Sequence, residues 1–120
     1  MAQKVLIIDD DRTNIQLVKS WLKNNDYEVL AAIDGVAGLQ MLEREQPDLI
    51  ILDVEMPQMN GFTFLNQLRK NSEHAAIPVI VLTSHEENQP IFQLKGVRAY
   101  LIKPVKGEDL MVKVKECLKQ

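Results

Sequence analysis

Five short apolar runs divide the chain, at 5–8, 27–33, 49–52, 77–82 and 100–102. Three of them contain the continuous sequences VLII, LIIL and VIVL, which are rich in β-branched residues and do not alternate with polar ones. Such a pattern is typical of strands that are covered on both faces, because neither face then needs polar side chains. The runs therefore predict a parallel sheet that lies between helices.

The segments between the apolar runs have the spacing of amphipathic helices. Apolar residues recur every three or four positions in four segments, at 13–25, 36–46, 62–68 and 110–118. A weaker pattern at 89–95, with Pro90 suited to a first helical turn, predicts a further helix. Strand and helix thus alternate five times. With right-handed crossovers, this order predicts an α/β fold, an open doubly wound (βα)5 sandwich.

Length and charge narrow the classes of protein. The chain has 120 residues and a mass of 13.7 kDa, which predicts one domain over 1–120. A net charge of -3 argues against direct nucleic-acid binding or attraction to an anionic membrane. Cys117 is the only cysteine, which excludes an internal disulfide and a zinc site of several cysteines. Neither a signal peptide nor a bilayer-length apolar run is visible, so we expect a cytoplasmic protein.

Polar side chains follow four of the predicted strands at their carboxyl ends. They are Asp9, Asp10 and Asp11 after the first strand, Asp53 after the third, Thr83 and Ser84 after the fourth, and Lys103 with Pro104 after the fifth. The carboxyl ends of parallel strands meet at one edge of a sheet, where ligands bind. We therefore expect these groups to converge, although Asp11 also suits the N-cap of the first helix.

Clustered carboxylates need a counterion. At ~4.5 Å and an effective dielectric near 20, each pair of them costs about 3–4 kcal/mol. Oxygen-only ligands of this kind suit Mg²⁺, which keeps its other positions for water and phosphate oxygens. Lys103 adds a positive charge and Thr83 a hydroxyl donor, and one carboxylate can act as a nucleophile. The cluster therefore predicts a magnesium-dependent phosphoryl-transfer site.

Four segments resemble the receiver domain of two-component response regulators, in particular the single-domain form of the chemotaxis regulators. They are VLIIDDD at 5–11, PDLIILDVEMPQMNG at 47–61, VIVLTS at 79–84 and YLIKP at 100–104. The aspartate before MP-x-M-x-G, together with Lys103-Pro104, is the most specific part. The resemblance covers nearly the whole chain and implies a flavodoxin-like, five-stranded parallel sheet of order 2-1-3-4-5.

The resemblance also implies a phosphoacceptor and its metal ligands. Asp53 would take a phosphoryl group from the phosphohistidine of a sensor histidine kinase or a histidine phosphotransfer protein. Asp10 would bind Mg²⁺ directly and Asp9 would bind it through water. Asp53 and the backbone carbonyl of Glu55 would complete the protein ligands. A receiver of this kind is not otherwise an enzyme, since it catalyses only its own phosphorylation and dephosphorylation.

The remaining site residues would respond to the phosphoryl group. Lys103 would pair with its oxygens, and the bond from Lys103 to Pro104 would be cis. Thr83 would move to hydrogen-bond the phosphoryl group, and the ring of Tyr100 would turn inward in response. Thr83 and Tyr100 would then form a two-state switch, and the charge added by phosphorylation would shift its equilibrium.

Two positions that vary among relatives stand beside these residues. Glu55 lies two residues after Asp53 and His85 two residues after Thr83. The resemblance implies that these positions flank the path of the water that hydrolyses the acyl phosphate, and the hypothesis is that they set the lifetime of the phosphorylated state. The alternative is that both are solvated rim residues. Only 84–95 separate Thr83 from Gly96, fewer residues than relatives usually have, so we expect a short fourth helix. The shortened segment belongs to the face that relatives commonly use for dimerisation and output.

The expected partners follow from the same resemblance. Besides the phosphodonor, they are a downstream target protein or an effector domain that is missing from the chain, and the oligomeric state is a monomer or a weak phosphorylation-dependent dimer. Lys19 and Lys23 either help to dock a kinase or only solvate the first helix. His74 is expected to be solvated, Trp21 near the core, and Cys117 half-buried.

Two alternatives stay open at this stage. The D-x-D-x-T pattern at 9–13 also fits a haloacid-dehalogenase-type phosphatase, with Asp9 as nucleophile and Asp11 as acid/base. Against it, the chain is short for that family's flap and cap, and Asp53 has no role in it. The second alternative is a degenerate receiver that binds a partner without being phosphorylated.

Overall fold

The computed structural model describes residues 2–54, 61–84 and 97–118. The strands are β1 (Lys4–Ile8), β2 (Glu28–Ala32), β3 (Leu49–Asp53), β4 (Val79–Thr83) and β5 (Ala99–Ile102). The helices are α1 (Arg12–Lys23), α2 (Gly35–Glu45), α3 (Gly61–Lys70) and the C-terminal helix (Gly107–Leu118). Each falls where the apolar pattern predicts it. The helix predicted at 89–95 lies outside the described residues.

The five strands form one parallel sheet of order β2-β1-β3-β4-β5, which confirms the predicted order. The register brings the strand ends level: Ile8 pairs with Leu52, and Asp53 pairs with Leu82. Residues that follow β1, β3 and β4 therefore emerge side by side at the carboxyl edge of the sheet. This alignment builds the site described below.

Both faces of the sheet are buried, which explains the continuous apolar runs. In β1, Leu6 and Ile8 belong to a core that includes residues of α2 and α3, whereas Val5 and Ile7 belong to a core that includes residues of α1 and the C-terminal helix. All four side chains are at most 1% exposed. Each such side chain stabilises the fold by roughly 1.5–3 kcal/mol.

Among the described residues, no helix has both the length and the apolar character that a membrane crossing requires.

Two predictions about single side chains next to these cores are confirmed. Trp21 packs at the margin of the core beneath α1, as its helical spacing predicts. Cys117 is a free thiol of intermediate exposure that packs against the same core. Burial, the largest influence on it, raises the pKa of the Cys117 thiol, while the nearby Arg98 acts in the opposite direction. A raised thiol pKa disfavours the reactive thiolate, which agrees with a structural residue.

The prediction for His74 is wrong, because this side chain is buried with only 5% exposure. It lies in the turn between α3 and β4, and the polar composition of this turn suggested that the side chain would be exposed to solvent. The Arg69 guanidinium donates to the carbonyl of Ala75 at 2.7 Å and draws this turn back against the protein. His74 lines one surface cavity together with Leu42 of α2 and Leu68 of α3.

Candidate metal and phosphoryl site

Three carboxylates meet at the carboxyl edge of the sheet. Asp9, Asp10 and Asp53 each place an oxygen within 4.8 Å of the others. Asp9 is 1% exposed and Asp53 is 2% exposed, whereas Asp10 faces solvent. The aspartates after β1 and at the end of β3 thus converge as their positions predict. The group is therefore buried on the side of Asp9 and Asp53 and open to solvent at Asp10.

Lys103 closes the site from β5. Its ammonium nitrogen lies 3.0 Å from Oδ1 of Asp53, and 29% of its side chain is exposed. The backbone N–H of Lys103 donates to the carbonyl of Thr83 at 2.8 Å, which continues the strand pairing by one residue and fixes where the side chain begins. The peptide bond from Lys103 to Pro104 is cis.

Asp11 is the N-cap of α1, as predicted. Its carboxylate accepts hydrogen bonds from the backbone N–H groups of Thr13 at 2.9 Å and Asn14 at 3.3 Å. The cap satisfies donors that a helix start otherwise leaves unpaired. Asp11 is therefore turned toward α1 and is not a member of the described carboxylate group.

Asp9 is held at both of its carboxylate oxygens. Oδ1 accepts the backbone N–H of Asp11 at 2.9 Å, and Oδ2 accepts a short hydrogen bond from the side-chain amide of Asn14. Asn14 was missed in the sequence reasoning. The available signal was an amide side chain in the first turn of the helix that follows the acidic run.

The predicted switch residues lie on the two neighbouring strands β4 and β5. Thr83 is fully buried at the end of β4, beside the site. Tyr100 pairs with Val81 in the strand register and is half-buried against the core beneath α2 and α3. Both residues make further interactions within the protein. Glu55 and His85 lie outside the described residues.

The described donor set fits a hard divalent cation. All three converging groups are carboxylates, and oxygen ligands of this kind favour Mg²⁺ over softer metals. Lys103 pairs with Asp53 through one oxygen, which leaves a net negative group at the site. A cation bound there would relieve repulsion that the protein otherwise has to tolerate.

Comparison with known proteins decides between the interpretations of this arrangement. The family model described as the response regulator receiver domain matches residues 5–115. The chain belongs to this family. It is a receiver domain of the kind used in two-component systems, which confirms the resemblance seen in the sequence.

Relatives with this domain differ in their total length. The receiver is 36% identical to protein PilH of Pseudomonas aeruginosa, over 90% of this chain and 91% of that protein. It is 37% identical to the transcriptional regulator RpaA of Synechocystis, over 98% of this chain but only 49% of that protein. Chemotaxis response regulator CheY4 of Vibrio cholerae has a similar structure, with a TM-score of 0.91, 32% identity, and coverage of 98% of this chain and 100% of that one.

Proposed function

We propose that this receiver accepts a phosphoryl group on Asp53, and that residues 1–120 form one receiver domain. The observation that carries the proposal is the position of the Asp53 carboxylate. It is buried, lies 3.0 Å from the Lys103 ammonium group, and belongs to the group with Asp9 and Asp10. A nucleophile, a cation for phosphoryl oxygens and a set of metal ligands are thereby combined at one edge of the sheet.

The proposed reaction transfers one phosphoryl group from nitrogen to oxygen. An oxygen of Asp53 attacks the phosphorus of a phosphohistidine, the P–N bond breaks, and the imidazole nitrogen leaves with the electron pair. The product is an acyl phosphate on Asp53. The donor is a sensor histidine kinase or a histidine phosphotransfer protein. Lys103 stabilises the negative charge of the phosphoryl oxygens while the bonds change.

Mg²⁺ is the proposed cofactor. Asp10 and Asp53 would hold it directly and Asp9 through water, and the backbone carbonyl of Glu55, which lies outside the described residues, would complete the protein ligands. When bound, the ion neutralises charge on the phosphoryl oxygens. The cluster of carboxylates supports this assignment, because its oxygen-only chemistry matches the preference of the ion.

Thr83 and Tyr100 are proposed to report the phosphoryl group to the surface. Thr83 is buried at the end of β4, where its hydroxyl can donate to a phosphoryl oxygen on the neighbouring β3. Tyr100 on β5 is only half-buried, so an inward turn of its ring would bury surface that is now exposed. Glu55 and His85 are proposed to tune the rate of dephosphorylation.

The proposed partners and location follow from this role. A kinase or phosphotransfer protein supplies the phosphoryl group, and a downstream target protein or an effector domain reads the switch. The net charge of -3 supports output through protein contacts and not through direct contact of this domain with nucleic acid or a membrane. The domain would work in the cytoplasm as a monomer or a weak phosphorylation-dependent dimer.

The test is phosphorylation by a small phosphodonor. The protein is incubated with Mg²⁺ and acetyl phosphate, and its intact mass is measured. We expect one added phosphoryl group in the parent and none in Asp53→Ala. Absence of label in the parent would favour a phosphorylation-independent interaction module. Label that survives in Asp53→Ala but disappears in Asp9→Ala would point to Asp9 as the nucleophile.

The structure itself disfavours Asp9 in that role. Both oxygens of Asp9 accept hydrogen bonds from within the chain, from Asp11 and Asn14. The Asp53 carboxylate instead lies beside Lys103, which is the cation suited to the product. The family match likewise supports Asp53 over the phosphatase assignment.

A further inference from the structure

Asp9 places its carboxylate where water scarcely reaches. Its exposure is 1%, and burial of an ionised carboxylate is costly unless hydrogen bonds replace the lost hydration. Two donors do so: the Asp11 backbone N–H at Oδ1 and the Asn14 amide at Oδ2. One donor belongs to the loop after β1, and the other belongs to the first turn of α1.

The two donors together fix the orientation of the carboxylate. One hydrogen bond leaves a carboxylate able to rotate about its bond to the β-carbon, whereas a bond at each oxygen sets its plane. An ionised carboxylate has about four acceptor sites, so two remain for water molecules on a metal ion. Asn14 is itself well placed, because its backbone N–H donates to the Asp11 cap at 3.3 Å.

The neutrality of the Asn14 amide matters as much as its position. A lysine or arginine at this point would also stabilise Asp9, but its charge would oppose a divalent cation. An amide donates a hydrogen bond and adds no net charge. Asn14 therefore does not weaken the attraction that the carboxylates of Asp9, Asp10 and Asp53 have for a metal ion.

We propose that Asn14 is a positioning residue of the metal site, which holds the Asp9 carboxylate in the orientation that Mg²⁺ binding requires. This inference rests on the proposed function, because it takes Mg²⁺ as the ligand of the carboxylate group. Partners that orient metal-binding side chains typically change metal affinity by about 10–100-fold when they are removed. Asn14 should show an effect in that range, with little effect on the metal-free fold.

The test measures Mg²⁺ binding to the full chain by isothermal titration calorimetry. Asn14→Leu keeps the branched shape of the side chain but removes its donor, and Asn14→Ala is the second variant. We expect Mg²⁺ affinity to fall by about 10–100-fold in both. The matched control is Asn25→Ala, which removes an amide that donates to the Trp21 carbonyl at 2.9 Å, at the other end of the same helix. Its Mg²⁺ affinity should stay within about twofold of the parent value, because that amide supports only the helix end.

Thermal melts without metal separate positioning from a structural role. The Asn14 variants should melt cooperatively, at temperatures close to that of Asn25→Ala. If the parent binds Mg²⁺ and both Asn14 variants bind it equally well, the role of Asn14 is wrong and the proposed function stands. If the parent binds no Mg²⁺, the metal assignment fails and this inference fails with it. If neither Asn14 variant folds, Asn14 is a residue of the fold and the proposal is again overturned.

Discussion

Gly107 lies directly against the indole ring of Trp21. A β-carbon at position 107 would stand 2.7 Å from Cε2 and 2.8 Å from Nε1 of that ring. Gly107 begins the C-terminal helix and Trp21 lies in the last turns of α1, so the contact joins the two helices on one face of the sheet. The ring is rigid and cannot bend away from an added methyl group.

We expect Gly107→Ala to destabilise the fold through this contact. The ring has to shift as a whole, because it cannot bend. Overpacking of this kind lowers the free energy of unfolding by about 1–3 kcal/mol, and we expect a loss in that range. Trp21 is the only tryptophan, so its fluorescence spectrum reports the shift directly, and urea unfolding gives the free energy. In a Trp21→Phe background, the smaller ring should reduce the penalty. An equal penalty in both backgrounds would show that the contact is not its cause.

Lys103→Met should slow phosphorylation and strengthen metal binding at the same time. The ammonium group lies 3.0 Å from Asp53, where it stabilises phosphoryl oxygens but opposes a cation. Loss of one preorganised donor costs roughly 10²–10³-fold in rate, so we expect a fall of about 100-fold or more with acetyl phosphate. Mg²⁺ affinity, measured by calorimetry, should rise.

The control for this experiment is Lys106→Met. Lys106 carries the same charge in the next few residues, but its side chain is exposed. Its phosphorylation rate should remain within about twofold of the parent rate, since an exposed charge is screened by solvent. A Lys103→Met protein that is labelled as fast as the parent would contradict the assignment of Lys103 to the phosphoryl group.

The sheet and the carboxylate group were predictable from the sequence for a physical reason. Strands buried on both faces leave continuous apolar runs, and the parallel connection brings all their carboxyl ends to one edge. Asp9 and Asp53 are therefore neighbours in space although 44 positions separate them in the chain. The prediction did not depend on any one residue, because the polar residues at several strand ends all indicated a site at the same edge.

Asn14 and His74 were not predictable in the same way. The bond from Asn14 to Asp9 depends on how the Asp11 cap sets the first turn of α1, and one sequence shows only a polar residue there. The burial of His74 depends on Arg69, which bonds a loop carbonyl six residues later. Both are contacts between a helix and the loop next to it, where residue type alone does not determine which side chain faces the protein.

Asp11→Ala should lower stability while leaving the phosphorylation site able to react. The substitution removes a cap that accepts from Thr13 and Asn14, and loss of such a cap costs about 1 kcal/mol. Asp11→Ser should retain most of this stability, because serine also caps helices. Urea unfolding measures the free energy, and intact mass measures labelling. Equal stability of Asp11→Ala and the parent would mean that the cap contributes nothing.

Asp10→Asn should separate the stability of the fold from its response to metal. Asp10 is the solvent-facing member of the carboxylate group, so its substitution removes repulsion without opening a buried cavity. We expect a higher melting temperature than the parent in EDTA. Mg²⁺ at about 100 times its dissociation constant should stabilise the parent by about 2.7 kcal/mol. For a domain of this size, that corresponds to a rise of roughly 10 °C.

In Asp10→Asn this rise should largely disappear, because a direct ligand is lost. Glu73→Gln is the matched control: it removes one exposed negative charge from the turn after α3, at the opposite edge of the sheet. It should keep the full rise in melting temperature with Mg²⁺.

Thermal melts of the three proteins, each with EDTA and with Mg²⁺, give all six melting temperatures. An equal Mg²⁺-induced rise in Asp10→Asn and the parent would remove Asp10 from the metal site. A higher melting temperature in EDTA only for Asp10→Asn would locate the repulsion at the carboxylate group and not in the net charge of the chain.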